Sequence, residues 1–143
     1  MDFAVREVSA LDTRPLRQAV LRPHQTLDEL AGHESENAFA VGAFDGDELV
    51  AVGFVVPEGD PPGSWRVRGM ATAPEARGRG AGAAVLDALV RQAIERGASR
   101  IWASVRTPAQ SLYARAGFSV TSDEFELPDI GPHVLMERRA ASA

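Results

Sequence analysis

The residues with the clearest chemical meaning form a glycine-rich turn, Arg77-Gly78-Arg79-Gly80-Ala81-Gly82, between a strand pattern and a helix pattern. Glycine has no side chain, so a backbone of this composition can approach a ligand closely. The first N–H groups of the following helix have no intrahelical partner, and the helix dipole adds partial positive charge beside them. The turn therefore predicts a phosphate-binding site, to which Arg77 and Arg79 add full charges.

Several phosphate ligands compete for this turn, and a merely flexible turn is a further alternative. Gly78-x-Gly80-x-x-Ala83 fits the dinucleotide fingerprint, but that motif requires an acidic residue about 20 positions later. The next predicted strand, Arg100 to Val105, is followed by Arg106 and has no acid. The P-loop pattern is excluded as well, because Gly-Lys-Ser/Thr is absent. Besides dinucleotides and the nucleotides bound by P-loops, coenzyme A is the third phosphate-bearing ligand to be considered for this turn.

A second motif, downstream of the turn, distinguishes coenzyme A from the other ligands. The turn fits the signature Arg/Gln-x-x-Gly-x-Gly/Ala, and Met70 to Arg77 leads into it in the same way as in a known family. Ala109-Gln110-Ser111-Leu112-Tyr113 is followed by Gly117-Phe118 at the spacing of that family. Over roughly Ser64 to Val120 the chain resembles the GCN5-related N-acetyltransferases.

The resemblance implies an enzyme that transfers the acetyl group of acetyl-CoA directly to an amine, with a small molecule as the expected acceptor. The implied fold is α/β, a mixed, mostly antiparallel sheet with helices on both faces, in one acetyltransferase domain spanning residues 1–143. In the family the strand before the turn separates from its neighbour, and its freed backbone pairs with the pantetheine arm. The implied cofactor-binding residues are Met70, Ala71, Thr72, Arg77, Gly78, Arg79, Gly80, Ala81, Gly82 and Ala83.

The chain contains a single tyrosine, Tyr113. The resemblance implies that its phenol is the general acid that protonates the leaving thiolate. A phenol has a pKa of about 10 and a thiol about 8.5, so the phenol is protonated at neutral pH and can donate. The alternative is a tyrosine that only packs on an amphipathic helix.

The general base is left open by two departures from the family pattern. Many members carry a glutamate on the strand before the turn, whereas Trp65 to Thr72 contains no carboxylate. Arg106 stands where the family often has an asparagine that helps to hold the pantetheine. An acceptor amine with a pKa of about 10.4 must nevertheless lose a proton before it attacks.

His133 is the second candidate catalytic residue, and it belongs to a titratable cluster near the end of the chain with Glu124, Glu126 and Asp129. Some relatives end with a similar Pro-His-x-x-Met, and histidine titrates near neutrality. The alternative is a histidine that is hydrogen-bonded at a strand start. The other two histidines, His24 and His33, are predicted in loops; because no metal-ligand spacing is present, no metal site is expected.

The acceptor pocket is expected between the N-terminal helices and the last strands. Arg17 and Arg22 either bind an anionic group of the acceptor or lie on a solvated face. Two other functions remain open: a non-catalytic sensor of acetyl-CoA, and an acyltransferase that uses another acyl group or a hydroxyl acceptor.

Composition excludes several classes of function. The net charge of −5 argues against general nucleic-acid binding, which requires a basic surface. No apolar run approaches the roughly 18 residues of a membrane span, so a cytoplasmic protein without a membrane partner is expected. The absence of cysteine excludes disulfides, zinc–thiolate sites and a cysteine nucleophile. The oligomeric state is left open, a homodimer included.

The elements that position these residues follow from hydrophobic periodicity and from turn signals. Two short helices are expected between Asp12 and Leu30, interrupted at Arg22-Pro23, with a polar loop at Gly32 to Asn37. Further helices are expected from the glycine turn to Arg96 and over Pro108 to Ala116, and the tail from Arg138 is expected to fray. Strands are predicted over Phe3 to Val8, Phe39 to Phe44, Leu49 to Val56, Ser64 to Ala73, Arg100 to Val105, Phe118 to Thr121 and His133 to Glu137.

Overall fold

The computed structural model describes residues 3–30, 37–128 and 130–140. Within these ranges the helices are α1 (Ala10–Val20), α2 (Leu27–Leu30), α3 (Ala81–Glu95) and α4 (Gln110–Arg115). The strands are β1 (Ala4–Glu7), β2 (Phe39–Asp45), β3 (Glu48–Pro57), β4 (Ser64–Thr72), β5 (Arg100–Arg106), β6 (Ser119–Val120), β7 (Phe125–Leu127) and β8 (Gly131–Arg139).

All of these strands belong to one sheet, in the order β1-β2-β3-β4-β5-β8-β6, with β7 paired to β8 as well. Every pairing is antiparallel except that of β4 with β5, which is parallel. The predicted fold class, a mixed and mostly antiparallel α/β sheet, is confirmed. None of the described helices is long and apolar enough to cross a membrane.

Helix α3 covers one face of the sheet. Its apolar stripe at Val85, Leu86, Leu89, Val90 and Ala93 is buried, with the spacing of an amphipathic helix. This stripe packs with Val55 of β3 in the main hydrophobic core. Because successive side chains of a strand point to opposite faces, the neighbouring strand positions face the other layer.

Helix α1 covers the opposite face, and α2 packs against α1. Helix α1 begins with a capping box, in which the Ser9 side chain accepts from the Asp12 amide and Asp12 accepts from the Ser9 amide. It carries Arg17, whose guanidinium lies 4.8 Å from the ring centroid of Phe54 on β3. Helices are therefore present on both faces, as predicted.

Strand β4 separates from β5 halfway along its length. The two strands pair only from Ser64 to Arg66 and from Arg100 to Trp102. A β-bulge against β3 follows, at Gly69, where φ is +64°. A Cβ at this glycine would lie 2.8 Å from Phe54, so the bulge requires a residue without a side chain.

Several sequence predictions of element ends differ from the structure. Strand β7 was not predicted, because three residues are too few to show a period of two. The predicted frayed tail from Arg138 is wrong: β8 continues to Arg139, and Arg138 Nη1 donates to Ala116 O at 2.9 Å. Most of the predicted loop at Gly32 to Asn37 lies outside the described residues, as do His33 and Asp129.

Candidate active site

A cavity of about 1120 Å³ runs through the gap between β4 and β5. On the α3 face it is lined by the glycine turn and by residues of α4. On the α1 face it is lined by the end of α1, by Leu30 and by His133. A cavity open to both faces allows two reactants to approach the same point from opposite sides.

The glycine turn forms the wall of this cavity at the start of α3. Gly78 and Gly80 have φ values of +76° and +91°, which side-chain-bearing residues rarely adopt. The first intrahelical hydrogen bond runs from Ala84 N–H to Gly80 O at 3.0 Å. The amides of Ala81 and Gly82 therefore have no intrahelical acceptor, and the helix dipole favours an anion beside them.

The side chains of the two arginines in the turn point in different directions. Arg77 lines the cavity, together with every glycine of the turn. Arg79 does not line it: its Nη2 lies 3.0 Å from Asp45 Oδ2, and its guanidinium lies 5.5 Å from the Phe3 ring centroid. Nine of the ten residues predicted to bind cofactor thus surround the cavity, and the side chain of Arg79 stabilises the turn from outside it.

The β4 edge beyond Arg66 forms the next part of the wall. Met70, Ala71 and Thr72 all line the cavity, and the described strands provide no partner for them on the β5 side. Helix α3 approaches this edge closely, because a Cβ at Gly82 would lie only 3.0 Å from Thr72 Oγ1. Because Gly82 has no side chain, the start of α3 can lie directly beside the unpaired edge of β4.

Tyr113 lies on α4, on the α3 face. Its side chain is 5 % exposed, and its ring packs edge-to-face on Phe118 with a centroid distance of 5.4 Å. Burial raises the pKa of the Tyr113 phenol well above its ordinary value, so the group is protonated at neutral pH. Among the described residues none is hydrogen-bonded to this hydroxyl, although the residue lines the cavity.

His133 lies at the other face, near the start of β8 and directly opposite Arg106 of β5. Its Nδ1 is 2.8 Å from Gly131 O, and its ring stacks on Phe125 of β7. Because a carbonyl oxygen only accepts, Nδ1 carries the proton, and Nε2 of the neutral ring is an acceptor. The strand-start hydrogen bond that the sequence suggested is therefore present, and the same ring lines the cavity.

The α1 side of the cavity is strongly cationic. Arg106 Nη2 donates to Leu21 O at 3.3 Å, and Arg22 is the next residue after Leu21, which caps the end of α1. Arg17 is 3 % exposed, so the solvated-face alternative is wrong for it. Among the described residues that line the whole cavity, the acidic one is Asp87 and the arginines are Arg17, Arg22, Arg66, Arg68, Arg77, Arg106 and Arg115.

Arg66 and Arg68 were not identified as site residues from the sequence. They share one carboxylate, with Arg66 Nη1 2.8 Å from Glu58 Oε2 and Arg68 Nη1 3.3 Å from Glu58 Oε1. Burial opposes ionisation of Glu58, but the hydrogen bonds and charges of both arginines hold its pKa below the ordinary value. The pattern Arg-x-Arg in a strand, which places two cations on one face, could have identified them.

The described residues contain no group of three or more His, Asp or Glu side chains that could hold a metal ion. His24 lies in the turn between α1 and α2 and is exposed. The site therefore consists of a glycine turn, an unpaired strand edge, a buried phenol and a histidine among arginines.

Both the sequence and the fold of this chain are similar to those of known proteins. A family model described as "Acetyltransferase (GNAT) family" matches residues 5–118. A Bacillus subtilis protein named "Uncharacterized N-acetyltransferase YitI" is 29 % identical over 138 residues, which cover 92 % of this chain and 93 % of that protein.

Two solved structures share the fold. A putative N-acetyltransferase from Lactobacillus plantarum superposes with a TM-score of 0.80 at 21 % identity, covering 99 % of this chain and 100 % of the other. An aminoglycoside 6'-N-acetyltransferase complexed with coenzyme A superposes with a TM-score of 0.79 at 14 % identity, covering 98 % of each chain.

Proposed function

Since the chain belongs to the acetyltransferase (GNAT) family, we propose that it transfers the acetyl group of acetyl-CoA directly to the amine of a small molecule. The enzyme class is that of the family, an acyl-CoA-dependent N-acetyltransferase, and acetyl-CoA is the co-substrate. The observation that carries the proposal is the cavity through the sheet between β4 and β5.

The cofactor-binding half is proposed on the α3 face. The pyrophosphate of coenzyme A is a dianion, and the amides of Ala81 and Gly82 with Arg77 provide donors and positive charge for it. The unpaired edge at Met70 to Thr72 provides main-chain groups for the pantetheine arm, as an added strand would use them. Holding both reactants at one point can lower the activation barrier by up to about 7–11 kcal/mol.

The proposed reaction needs a proton donor and a proton acceptor. The amine nitrogen forms a bond to the acetyl carbon, and the carbon–sulfur bond breaks. Tyr113 gives its proton to the leaving sulfur, since its phenol is protonated and lines the cavity. His133 Nε2 accepts the proton of the amine, because Nδ1 is already committed to Gly131 O.

Direct transfer fits the composition of the site. The chain has no cysteine, so no thioester intermediate can form on the protein. A cytoplasmic location, a single domain over residues 1–143 and the oligomeric state remain predictions from the sequence.

The experiment that tests the proposal measures thiol release from acetyl-CoA in the presence of a panel of amines. We expect release that depends on the amine, and an N-acetylated product of matching mass. Parallel assays with longer acyl-CoA esters and with alcohols test the other acyl-transfer function. If acetyl-CoA binds but no acceptor and no acyl group leads to thiol release, the protein is a sensor and the proposal is wrong.

A further inference from the structure

Three arginines from distant parts of the chain converge at the α1 end of the cavity. Arg22 follows α1, Arg68 lies on β4, and Arg106 ends β5. The side chains of Arg68 and Arg106 point away from the α3 core, because their neighbours Val67 and Val105 are buried in that core. All three arginines line the cavity.

Their charges are only partly compensated by described residues. Arg22 has no ion pair and no side-chain hydrogen bond within the described part of the chain. Arg106 donates to Leu21 O, which carries no net charge. Arg68 shares the single charge of Glu58 with Arg66. Among the described residues, the cluster therefore retains positive charge at the cavity wall.

The arginines also act on one another. Burial and the charges of Arg68, Arg106 and Arg17 lower the pKa of Arg22, although its guanidinium stays protonated at neutral pH. Like charges held in a partly desolvated cavity cost free energy, and an anion bound between them removes that cost. The protein as a whole carries a net charge of −5, but the positive potential of this cluster attracts anions locally.

The phosphates of coenzyme A do not account for this cluster. The predicted phosphate site lies at the start of α3, on the other face of the sheet. Arg22, Arg68 and Arg106 lie instead on the face of α1 and His133, where the acceptor enters in the proposed function.

A positive potential also affects the reacting amine. Nearby positive charges disfavour an ammonium ion and lower its pKa, so more of the bound amine is neutral. An acceptor with several positive charges is repelled by the same residues.

We infer that the acceptor amine carries an anionic group, a carboxylate or a phosphate, which Arg22, Arg68 and Arg106 bind beside His133. The inference rests on the proposed function, because it assigns this end of the cavity to the acceptor. Arg22 and Arg68 are then specificity-determining residues. Polyamines and other polycations are not acceptors.

The test compares acceptors that differ only in the anionic group. The common L-amino acids are assayed against their amides and their decarboxylated amines, and phosphoethanolamine is assayed against ethanolamine. We expect kcat/KM to fall about 10- to 100-fold when the anion is removed, as for the loss of a charged hydrogen bond. In Arg22→Gln and in Arg68→Gln the preference for the anionic partner should shrink, chiefly through a higher KM for the anionic acceptor.

Arg6→Gln is the matched control. It makes the same change of charge and size on β1, where Arg6 is exposed and lies outside the cavity. This control variant should retain the wild-type preference for anionic acceptors.

Calorimetry of the same acceptors with the coenzyme A-loaded protein separates this inference from the proposed function. Tighter binding of anionic amines that is lost in Arg22→Gln supports the inference even if no amine releases thiol. If no carboxylate or phosphate acceptor is bound or acetylated better than its neutral partner, the inference is wrong, and amine-dependent thiol release would leave acetyl transfer intact.

Discussion

Tyr113 and His133 line the same cavity from opposite faces of the sheet. Tyr113 packs in the core on the α3 face, together with Val134 of β8. His133 is the neighbour of Val134 along that strand, so its side chain points to the α1 face. The gap between β4 and β5 brings both faces into one cavity, so the proposed proton donor and the proposed proton acceptor would act on opposite sides of one reacting group.

Replacement of Gly82 by valine should abolish tight binding of coenzyme A. A Cβ at this position would lie 3.0 Å from Thr72 Oγ1, and the two methyl groups of valine would block the amides of the helix start. We expect calorimetry to show an affinity loss of about tenfold or more, with a smaller loss in Gly82→Ala.

Glu95→Val is the control for this experiment, because it inserts the same β-branched residue at the far end of α3. Circular dichroism should show that all three variants are folded. Unchanged coenzyme A affinity in folded Gly82→Val would rule out the glycine turn as the phosphate site.

Removal of the Tyr113 hydroxyl should slow turnover by about 10²- to 10⁴-fold, the usual contribution of a general acid. The Tyr113→Phe variant keeps the ring and its edge-to-face contact with Phe118. Coenzyme A affinity should therefore change little, because the proton is needed in the transition state. If turnover stays within about threefold of wild type when chemistry is rate-limiting, the residue only packs and another group protonates the thiolate.

The ionisation of Tyr113 should occur at higher pH in the folded protein than in the unfolded chain. Burial raises its pKa, and because the chain has one tyrosine, phenolate absorbance reports this residue alone. In guanidinium chloride the midpoint of the phenol titration should lie at about pH 10, whereas the folded protein should contain almost no phenolate at that pH.

The same shift predicts a loss of stability at alkaline pH. The folded-state pKa exceeds the unfolded value, so the contribution of Tyr113 is complete below about pH 10 and declines as pH rises above it. In Tyr113→Phe this part of the alkaline decline should be absent. A folded-state midpoint equal to that of the denatured chain would show that the phenol is in contact with water.

Replacement of His133 by asparagine tests its role as proton acceptor. The asparagine amide nitrogen can replace Nδ1 as donor to Gly131 O, but nothing replaces Nε2. We expect a rate loss of about 10²- to 10⁴-fold at neutral pH. The deficit should shrink as pH rises towards the pKa of the acceptor amine, because an increasing fraction of the amine is already neutral.

The pH profile distinguishes this role from a structural one. A deficit that is constant from pH 7 to about 10 would mean that His133 positions the acceptor or the strand instead of accepting its proton. His24→Asn, at an exposed histidine outside the cavity, should have the wild-type profile.

Local patterns in the sequence determined the parts of the site that are contiguous in the chain. The alternating glycines, the strand before them and the amphipathic period of α3 together predicted the helix start and the turn that the structure contains. The helix that carries Tyr113 was predicted for the same reason, since a short helix closed by Gly117 depends on neighbouring residues.

Only the tertiary structure decided which distant residues meet. The sequence places Arg66 and Arg68 on one face of a strand, but the pairing of β4 with β5 and the position of α1 determine that Arg22 and Arg106 join them. The direction of Arg79 depends likewise on Asp45, 34 positions away in the chain. Helix starts and turns are specified by interactions between near neighbours, whereas the α1 end of the cavity is formed by contacts across sheet layers, which no local period encodes.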